Sequence, residues 1–307
     1  MLSPLVTVII PNYNHAKYLD ERLQSVLNQT YSNFEVIVLD DMSSDNSLDI
    51  INKYVSHPKM SQIVKNNFNS GSPFKQWNKG FHLAKGELIW IAESDDSCDL
   101  TMLQKLVDAY MHYDNIVLAF CRTMLMNEDG ICLRVFQKYF NQTFFEGNAF
   151  IKQKLIWGNC VVNASSAIFR KDIALQISDE YTHYRGVGDW LFWAELSEQG
   201  NVTIVDEPLN HYRYYETNTT SKNRKEGNEI IEAKKVFDYF VSKGHVGYID
   251  KIRIHKKYIW HIKYEGHYNK IVQKQLLKTW NNNLFISFLA FLSNLSKLPA
   301  IRELRNL

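Results

Sequence analysis

Most of the groups in this sequence that could do chemistry are carboxylates. Glu93-Ser94-Asp95-Asp96 follows directly on the apolar run Leu88-Ile89-Trp90-Ile91-Ala92, and Asp40-Asp41 closes the run Glu35-Val36-Ile37-Val38-Leu39. Hard divalent cations such as Mg²⁺ and Mn²⁺ take oxygen ligands and commonly share them with substrate phosphates. Two plainer uses suit the same residues. Carboxylates also gather at helix N-termini, and a helix starts near Thr101; Asp40-Asp41 would equally serve as a solvated turn. Neither stretch decides the matter alone. Other chemistries lack their residues: no GxGxxG follows the first strand, and no GxxxxGK[ST] or HExxH occurs. Dinucleotide-dehydrogenase, P-loop and zinc-protease readings lose their support accordingly. Cys98, Cys121, Cys132 and Cys160 stand far apart, which argues against a disulfide framework or structural zinc and predicts a reducing compartment.

The elements that must position these carboxylates alternate. Val6 to Ile10, Glu35 to Leu39, a weaker Gln62 to Val64 and Leu88 to Ala92 predict strands. Between them run helical patterns: Leu19, Leu23, Val26 and Leu27; then Leu48, Ile51 and Val55 behind an N-cap at Ser44; then Phe74, Trp77 and Phe81, ending near Gly86. A further helix carries Leu103, Leu106, Val107 and Tyr110. Strands separated by helices mean βαβ units and a parallel sheet covered on both faces. In such a sheet ligands bind at the carboxyl ends of the strands. Asn12 and Asn14, Asp40 and Asp41, and Glu93 to Asp96 would then converge on one crevice. From about residue 115 to 215 the pattern is mixed, with a short strand at Ile116 to Phe120 and a hairpin turn at Asp129-Gly130. Residues 226 to 280 read as helices, with Ile230, Ala233, Val236, Phe237 and Phe240 on one face.

The chain has 307 residues and a formal net charge of only +2, so nothing global suggests a nucleic-acid partner. The charge is nevertheless uneven. Residues 222 to 278 carry fourteen Lys and Arg against six Asp and Glu, a net +8, while residues 1 to 221 carry −8. The chain reads as an acidic body joined to a basic helical region. Phe285, Phe288, Leu289, Leu292 and Leu295 follow at near-helical spacing, too interrupted to span a bilayer. Two uses of residues 222 to 298 stay open: peripheral membrane contact, or packing on the protein itself or on a second copy in a homodimer. No basic, apolar, small-residue leader opens the sequence, which predicts a cytoplasmic protein, with the inner face of the membrane as its site if the tail binds lipid.

Several motifs stand in a recognisable order. Val8-Ile9-Ile10-Pro11-Asn12-Tyr13-Asn14, Leu27-Asn28-Gln29-Thr30-Tyr31 and Val36-Ile37-Val38-Leu39-Asp40-Asp41-Met42-Ser43-Ser44-Asp45 are followed by Asn69-Ser70-Gly71, Lys79-Gly80, Ala84-Lys85-Gly86-Glu87-Leu88-Ile89 and Glu93-Ser94-Asp95-Asp96. Asn163-Ala164-Ser165-Ser166 and Gly188-Asp189-Trp190-Leu191-Phe192-Trp193 complete the set. Over about residues 3 to 220 the chain resembles family 2 glycosyltransferases. The resemblance implies an α/β fold of GT-A type, a Rossmann-like mixed sheet flanked by helices, here with a helical C-terminal appendage. Residues 1–220 would form the glycosyltransferase domain, with a nucleotide-sugar half to about 115 and an acceptor half from 116; residues 221–307 would form the basic helical region.

The resemblance also assigns roles. Pro11, Tyr13, Asn14 and Asp41 would surround the nucleotide, with Asp41 accepting from the uracil imide N–H. Glu93-Ser94-Asp95 stands where the family carries its metal motif, so Asp95, Asp96 and Glu93 would serve Mn²⁺ or Mg²⁺ and Asp95 also the ribose. Asp189 matches the family's general base, which suits in-line displacement with inversion. This sequence departs from the pattern in three places. Glu93 replaces the usual first aspartate. Lys75 stands near a usual arginine and offers a phosphate a point charge without the bidentate fork. Tyr215 occupies the place where relatives carry a histidine after Tyr212-Arg213. Trp157, beside Gly158-Asn159, is the better candidate acceptor platform; Trp190 is a second, although its helical spacing favours core packing over sugar stacking. The implied partners are a nucleotide-sugar donor, in the first instance UDP-linked, and a glycan or lipid-linked acceptor. A nucleotidyltransferase would want a Gly-rich basic loop after the first strand, which Pro11 to Asn14 is not. A non-catalytic sugar-nucleotide-binding protein would have no need of Asp95, Asp96 and Asp189 together.

Overall fold

The computed structural model describes residues 3–215 and 219–280. They fall into two compact units, one built from residues up to Tyr184 and from Gly188 to Tyr215, the other from Arg185–Val187 and the residues from 216 onward.

The first unit is a ten-stranded mixed sheet flanked by helices. Its strands are β1 (Val6–Asn12), β2 (Phe34–Asp40), β3 (Met60–Lys65), β4 (Leu88–Ile91), β5 (Ser97–Cys98), β6 (Ile116–Met126), β7 (Cys132–Val135), β8 (Phe144–Phe145), β9 (Ala167–Arg170) and β10 (Asn201–Arg213). Its helices are α1 (Ala16–Leu27), α2 (Ser47–Asn52), α3 (Pro73–Leu83), α4 (Met102–His112), α5 (Gly147–Gln153), α6 (Lys171–Ala174) and α7 (Gly188–Ser197). The strand order is β3-β2-β1-β4-β9-β6-β10-β5, with β7 paired to β6 and β8 to β10. The first four strands are mutually parallel, as βαβ connections require. Every residue of β1 is buried, because helices cover both faces and the β-branched run Val-Thr-Val-Ile-Ile packs on each. β9 joins antiparallel to β4 and β6, and so turns the parallel half into a mixed sheet.

Close approaches hold this frame. A Cβ on Gly86 would meet the backbone of Thr7 at 2.5 Å, so only glycine lets the α3–β4 turn lie against β1. The second helix is shorter than its apolar spacing suggests. It is capped at Asn46 rather than Ser44, it ends at Asn52, and Val55 is 60% exposed. The strand expected at Ile116 to Phe120 runs on to Met126, since β10 pairs with it in parallel over nearly its whole length.

The second unit is helical: α8 (Thr219–Glu226), α9 (Asn228–Ser242), α10 (Tyr248–Trp260) with a π-turn over His261–Glu265, and α11 (Lys270–Trp280). The face of α9 formed by Ile230, Ala233, Val236, Phe237 and Phe240 is buried, as its spacing predicts. Trp280 anchors this core, stacked on Tyr258 with ring centres 4.0 Å apart and its indole N–H on the Ile230 carbonyl at 3.1 Å. Buried Glu232 accepts from the consecutive N–H groups of Arg185, Gly186 and Val187. Among the described residues no helix is long and apolar enough to cross a membrane. The apolar stripe from Phe285 to Leu295 lies outside the described residues.

Candidate active site

The ends of β2, β1 and β4 lie side by side in that order, and their loops are tied together by side chains. Asn12 reaches from β1 to Asp40 at 2.9 Å and to Ser43 at 3.1 Å. Asn14, held in the left-handed region at φ 56, accepts through Oδ1 from the N–H groups of Ser44 at 2.7 Å and Asp45 at 3.3 Å. Asn14 thus builds the loop that faces the crevice. Tyr13 beside it is 47% exposed, whereas Pro11 is buried.

Asp41 is almost fully buried, and protein donors fill its carboxylate. Oδ1 accepts from Asn66 at 2.6 Å, Gln76 at 2.9 Å and the Ser70 N–H at 2.9 Å, while Oδ2 takes the Ser70 hydroxyl at 2.7 Å. A carboxylate offers about four lone-pair sites, so a nucleobase N–H could bind it only by displacing one of these donors. Asp41 ties the end of β2 to the loop before α3. Lys75 lies on that helix, exposed, its ammonium on the Ser70 carbonyl at 3.2 Å.

In the acidic cluster the four residues separate into distinct jobs. Glu93 accepts from the Trp77 indole at 2.9 Å, and desolvation followed by the charge of Asp95 pushes its carboxyl up to about 8. Asp96 has a side chain with no exposure and accepts from Ser165 Oγ at 2.8 Å and the Arg213 N–H at 3.0 Å, with Arg22 at 3.8 Å. Burial and the Asp95 charge push its carboxyl up, against these three partners. Asp96 is therefore enclosed in the fold, whereas Glu93 is half-buried and held by the Trp77 indole. Asp95 is only half-buried, and its Oδ2 accepts from the Tyr215 phenol at 3.0 Å. Burial and Asp95 push that phenol up, so it keeps its proton.

Two buried arginines, unmarked in the sequence reading, hold this loop. Arg22 on α1 donates to the Glu93 carbonyl at 2.8 Å. Arg213 at the end of β10 donates to the Asp95 carbonyl at 2.8 Å, to the Glu128 carbonyl at 2.9 Å and to Glu21 at 2.5 Å. The available signal was Arg22 itself, a charge set among Leu19, Leu23 and Val26 on the apolar stripe of α1.

Asp189 opens α7. Its Oδ1 accepts from the Trp190 N–H at 2.8 Å and its Oδ2 from the Asn159 amide at 2.7 Å. The segment that supplies Asn159 also supplies Ser165, whose hydroxyl meets Asp96 and the Glu93 N–H. One short stretch therefore touches both the acidic cluster and Asp189. Gly158, at φ 147, lets the chain turn into this stretch. Of the two tryptophans proposed for an acceptor, Trp190 is 4% exposed with its indole N–H on the Leu155 carbonyl at 3.0 Å. It packs in the core and offers no stacking face. Trp157 is half-buried.

The residues present fit a divalent cation in one way. Among the described residues no three His, Cys, Asp or Glu side chains converge as a metal-holding group. Mg²⁺ or Mn²⁺ bound to a nucleotide usually needs only one or two protein carboxylates, with phosphates and water completing the shell. Half-buried Asp95 meets that requirement.

Comparison with known proteins agrees with the geometry. The family model for glycosyl transferase family 2 matches residues 7–175, more than half of the chain. An uncharacterized glycosyltransferase of Haemophilus influenzae is 27% identical over 242 residues, 76% of this chain and 72% of that protein. The glycosyltransferase GlyG of Streptococcus pneumoniae is 35% identical, over only 37% of each chain. Among solved structures, Staphylococcus aureus TarS 1–349 in complex with UDP superposes with a TM-score of 0.65 at 19% identity, covering 90% of this chain and 79% of that one. A mannosyltransferase of Pyrobaculum calidifontis, in complex with GDP-Man and Mn²⁺, gives 0.59 at 14% identity, covering 99% and 83%.

Proposed function

This chain belongs to glycosyl transferase family 2 and is a glycosyltransferase of GT-A fold, and on that premise we propose that it moves a sugar from a nucleoside-diphosphate donor to a glycan or glycolipid acceptor by in-line displacement with inversion. The observation that carries this reading is the stretch from Asn159 to Ser165, which bonds Asp189 at one end and the acidic cluster at the other. This shared stretch supports a single site in which Asp189 would take a proton and Asp95 would serve a cation bound to the diphosphate.

In this mechanism Tyr13 and the loops closed by Asn14 and Asp41 receive the nucleoside, with Asp41 shaping the wall. Lys75 lies on the helix beside that wall. Asp95 would hold Mn²⁺ or Mg²⁺, whose charge offsets that building on the leaving diphosphate. Arg22, Arg213 and Ser165 fix the backbone and side chains around Asp95, so that little reorganisation is needed on binding. Asp189 takes the proton of the attacking acceptor hydroxyl. The Asn159 amide occupies one of its oxygens and the Trp190 N–H the other, which fixes the direction from which a hydroxyl can approach. Trp157 lies on the same stretch, where an acceptor ring would rest.

UDP is the nucleotide we favour, in keeping with TarS in its complexes with UDP and UDP-GlcNAc; the mannosyltransferase with GDP-Man makes GDP the second choice. A role in building an envelope polysaccharide at the cytoplasmic face of a membrane fits the net +8 of residues 222 to 278 and the exposed aromatics Trp260 and Tyr264, whose rings lie 4.5 Å apart. The donor assignment is tested by thermal shift with UDP- and GDP-sugars, with Mn²⁺ and with chelator, because a ligand that binds only the folded state raises the midpoint. The expected result is a metal-dependent rise with one nucleotide series; no rise with any of them would refute it.

A further inference from the structure

The loop between β1 and α1 bridges the two ends of the crevice. On one side Asn12 and Asn14 bond the residues after β2; on the other, His15 Nδ1 lies 2.8 Å from the Ser94 hydroxyl, in the loop after β4. A nucleoside seated near Asp41 with its diphosphate near Asp95 must cross this loop, because β1 lies between β2 and β4.

The protons at this point can be counted. Tyr215 has one hydroxyl proton and directs it to Asp95 Oδ2 at 3.0 Å, the nearer acceptor. Its oxygen also lies 3.4 Å from His15 Nε2. That contact is attractive only if Nε2 carries the hydrogen and the phenol oxygen accepts it. Nδ1 is then served by Ser94. The result is an imidazole N–H turned toward the residue that binds Asp95, with an acceptor too distant for a good hydrogen bond.

The arginine and lysine side chains flanking this loop are occupied. Arg22 and Arg213 are buried and bonded to main-chain carbonyls, with Asp96 and Glu21 as their carboxylate partners. Lys17 points to Glu128 at 2.7 Å. We propose that His15 is a diphosphate-binding residue, whose Nε2–H exchanges its long contact with Tyr215 for a phosphate oxygen of the donor. Ser94 and Tyr215 are the positioning residues that set the ring's orientation. The inference rests on the nucleotide-sugar reading above and adds to it a residue that the acidic motif does not contain.

Calorimetric titration with UDP and with uridine, in buffer containing Mn²⁺, separates the two claims; GDP and guanosine form a second pair. His15→Ala should weaken UDP about tenfold, the usual effect of losing one hydrogen bond to a charged group, and leave uridine unchanged. Ser94→Ala keeps the imidazole but frees it, and should weaken UDP in the same direction by less. A His15→Ala protein with the wild-type ratio of UDP to uridine affinity overturns the proposal, as does equal weakening of both ligands, which would make His15 a loop-shaping residue. A wild-type protein that prefers neither diphosphate to its nucleoside overturns the nucleotide-sugar reading itself, and this inference with it.

Discussion

Asp96 shows how the site is held at the scale of single residues. Its side chain and that of Arg22 have no exposure, and each keeps the other in the protein interior. Removing one partner of a buried pair leaves an uncompensated charge, which typically costs about 3–5 kcal/mol. Arg22→Ala should therefore lower the unfolding free energy from urea titration by that order, whereas Lys105→Ala, whose Glu207 bridge is open to solvent, should change it by under about 1 kcal/mol. Equal effects would mean that Asp96 is satisfied without Arg22. Asp41→Asn sets an amide donor against Asn66, Gln76 and Ser70, all of which donate. Nucleotide affinity in that variant should fall at least about tenfold, as measured by titration with UDP. Unchanged affinity would place the nucleotide elsewhere. These partners explain why the sequence marked Asp41, Asp95 and Asp96 as chemical but could not divide their labour. Ser165 and Arg213 lie 69 and 117 positions from Asp96, and no local pattern links them.

The elements were legible where one period dominates. β1, β2 and β4 are mostly apolar because both sheet faces are covered, and polar residues close or follow each where the crevice begins. The stretch from residue 116 onward was read less well, for physical reasons. β10 contains Asp206, Glu207 and Pro208, and its pairing to β6 shifts register on both sides of Pro208. A strand with irregular register has no clean alternation to read. Trp190, whose spacing favoured the core, does pack there, because α7 is apolar on nearly every side. The tightest joint in this stretch is Gly147, at the start of α5, where a Cβ would lie 1.7 Å from the Ser197 carbonyl and 2.2 Å from that of Gly200. Gly147→Ala must push α5 off the end of α7, and should destabilise by about 1–3 kcal/mol or more. A melting midpoint equal to that of the wild type would show that the backbone yields there at no cost.

Over the whole molecule, an acidic α/β unit with the chemistry is followed by a basic helical unit. In the helical unit Trp280→Ala removes the ring shared by Tyr258, Phe237 and His255, which should cost about 3–5 kcal/mol. Tryptophan and tyrosine exposed among lysines suit the headgroup region of a bilayer. Co-sedimentation of the full chain should therefore favour anionic over neutral vesicles and weaken as salt shortens the Debye length; indifference to lipid charge would remove the membrane from the account. The central claim is transfer from a nucleotide sugar with Asp189 as base. It is tested most directly by nucleoside-diphosphate release from UDP- and GDP-sugars in Mn²⁺, comparing wild type with Asp189→Asn. Release with one donor series, reduced about 10²- to 10⁴-fold in Asp189→Asn while that variant still binds the nucleotide, is the predicted result. Release at the wild-type rate from Asp189→Asn, or from neither series by the wild type, would contradict it.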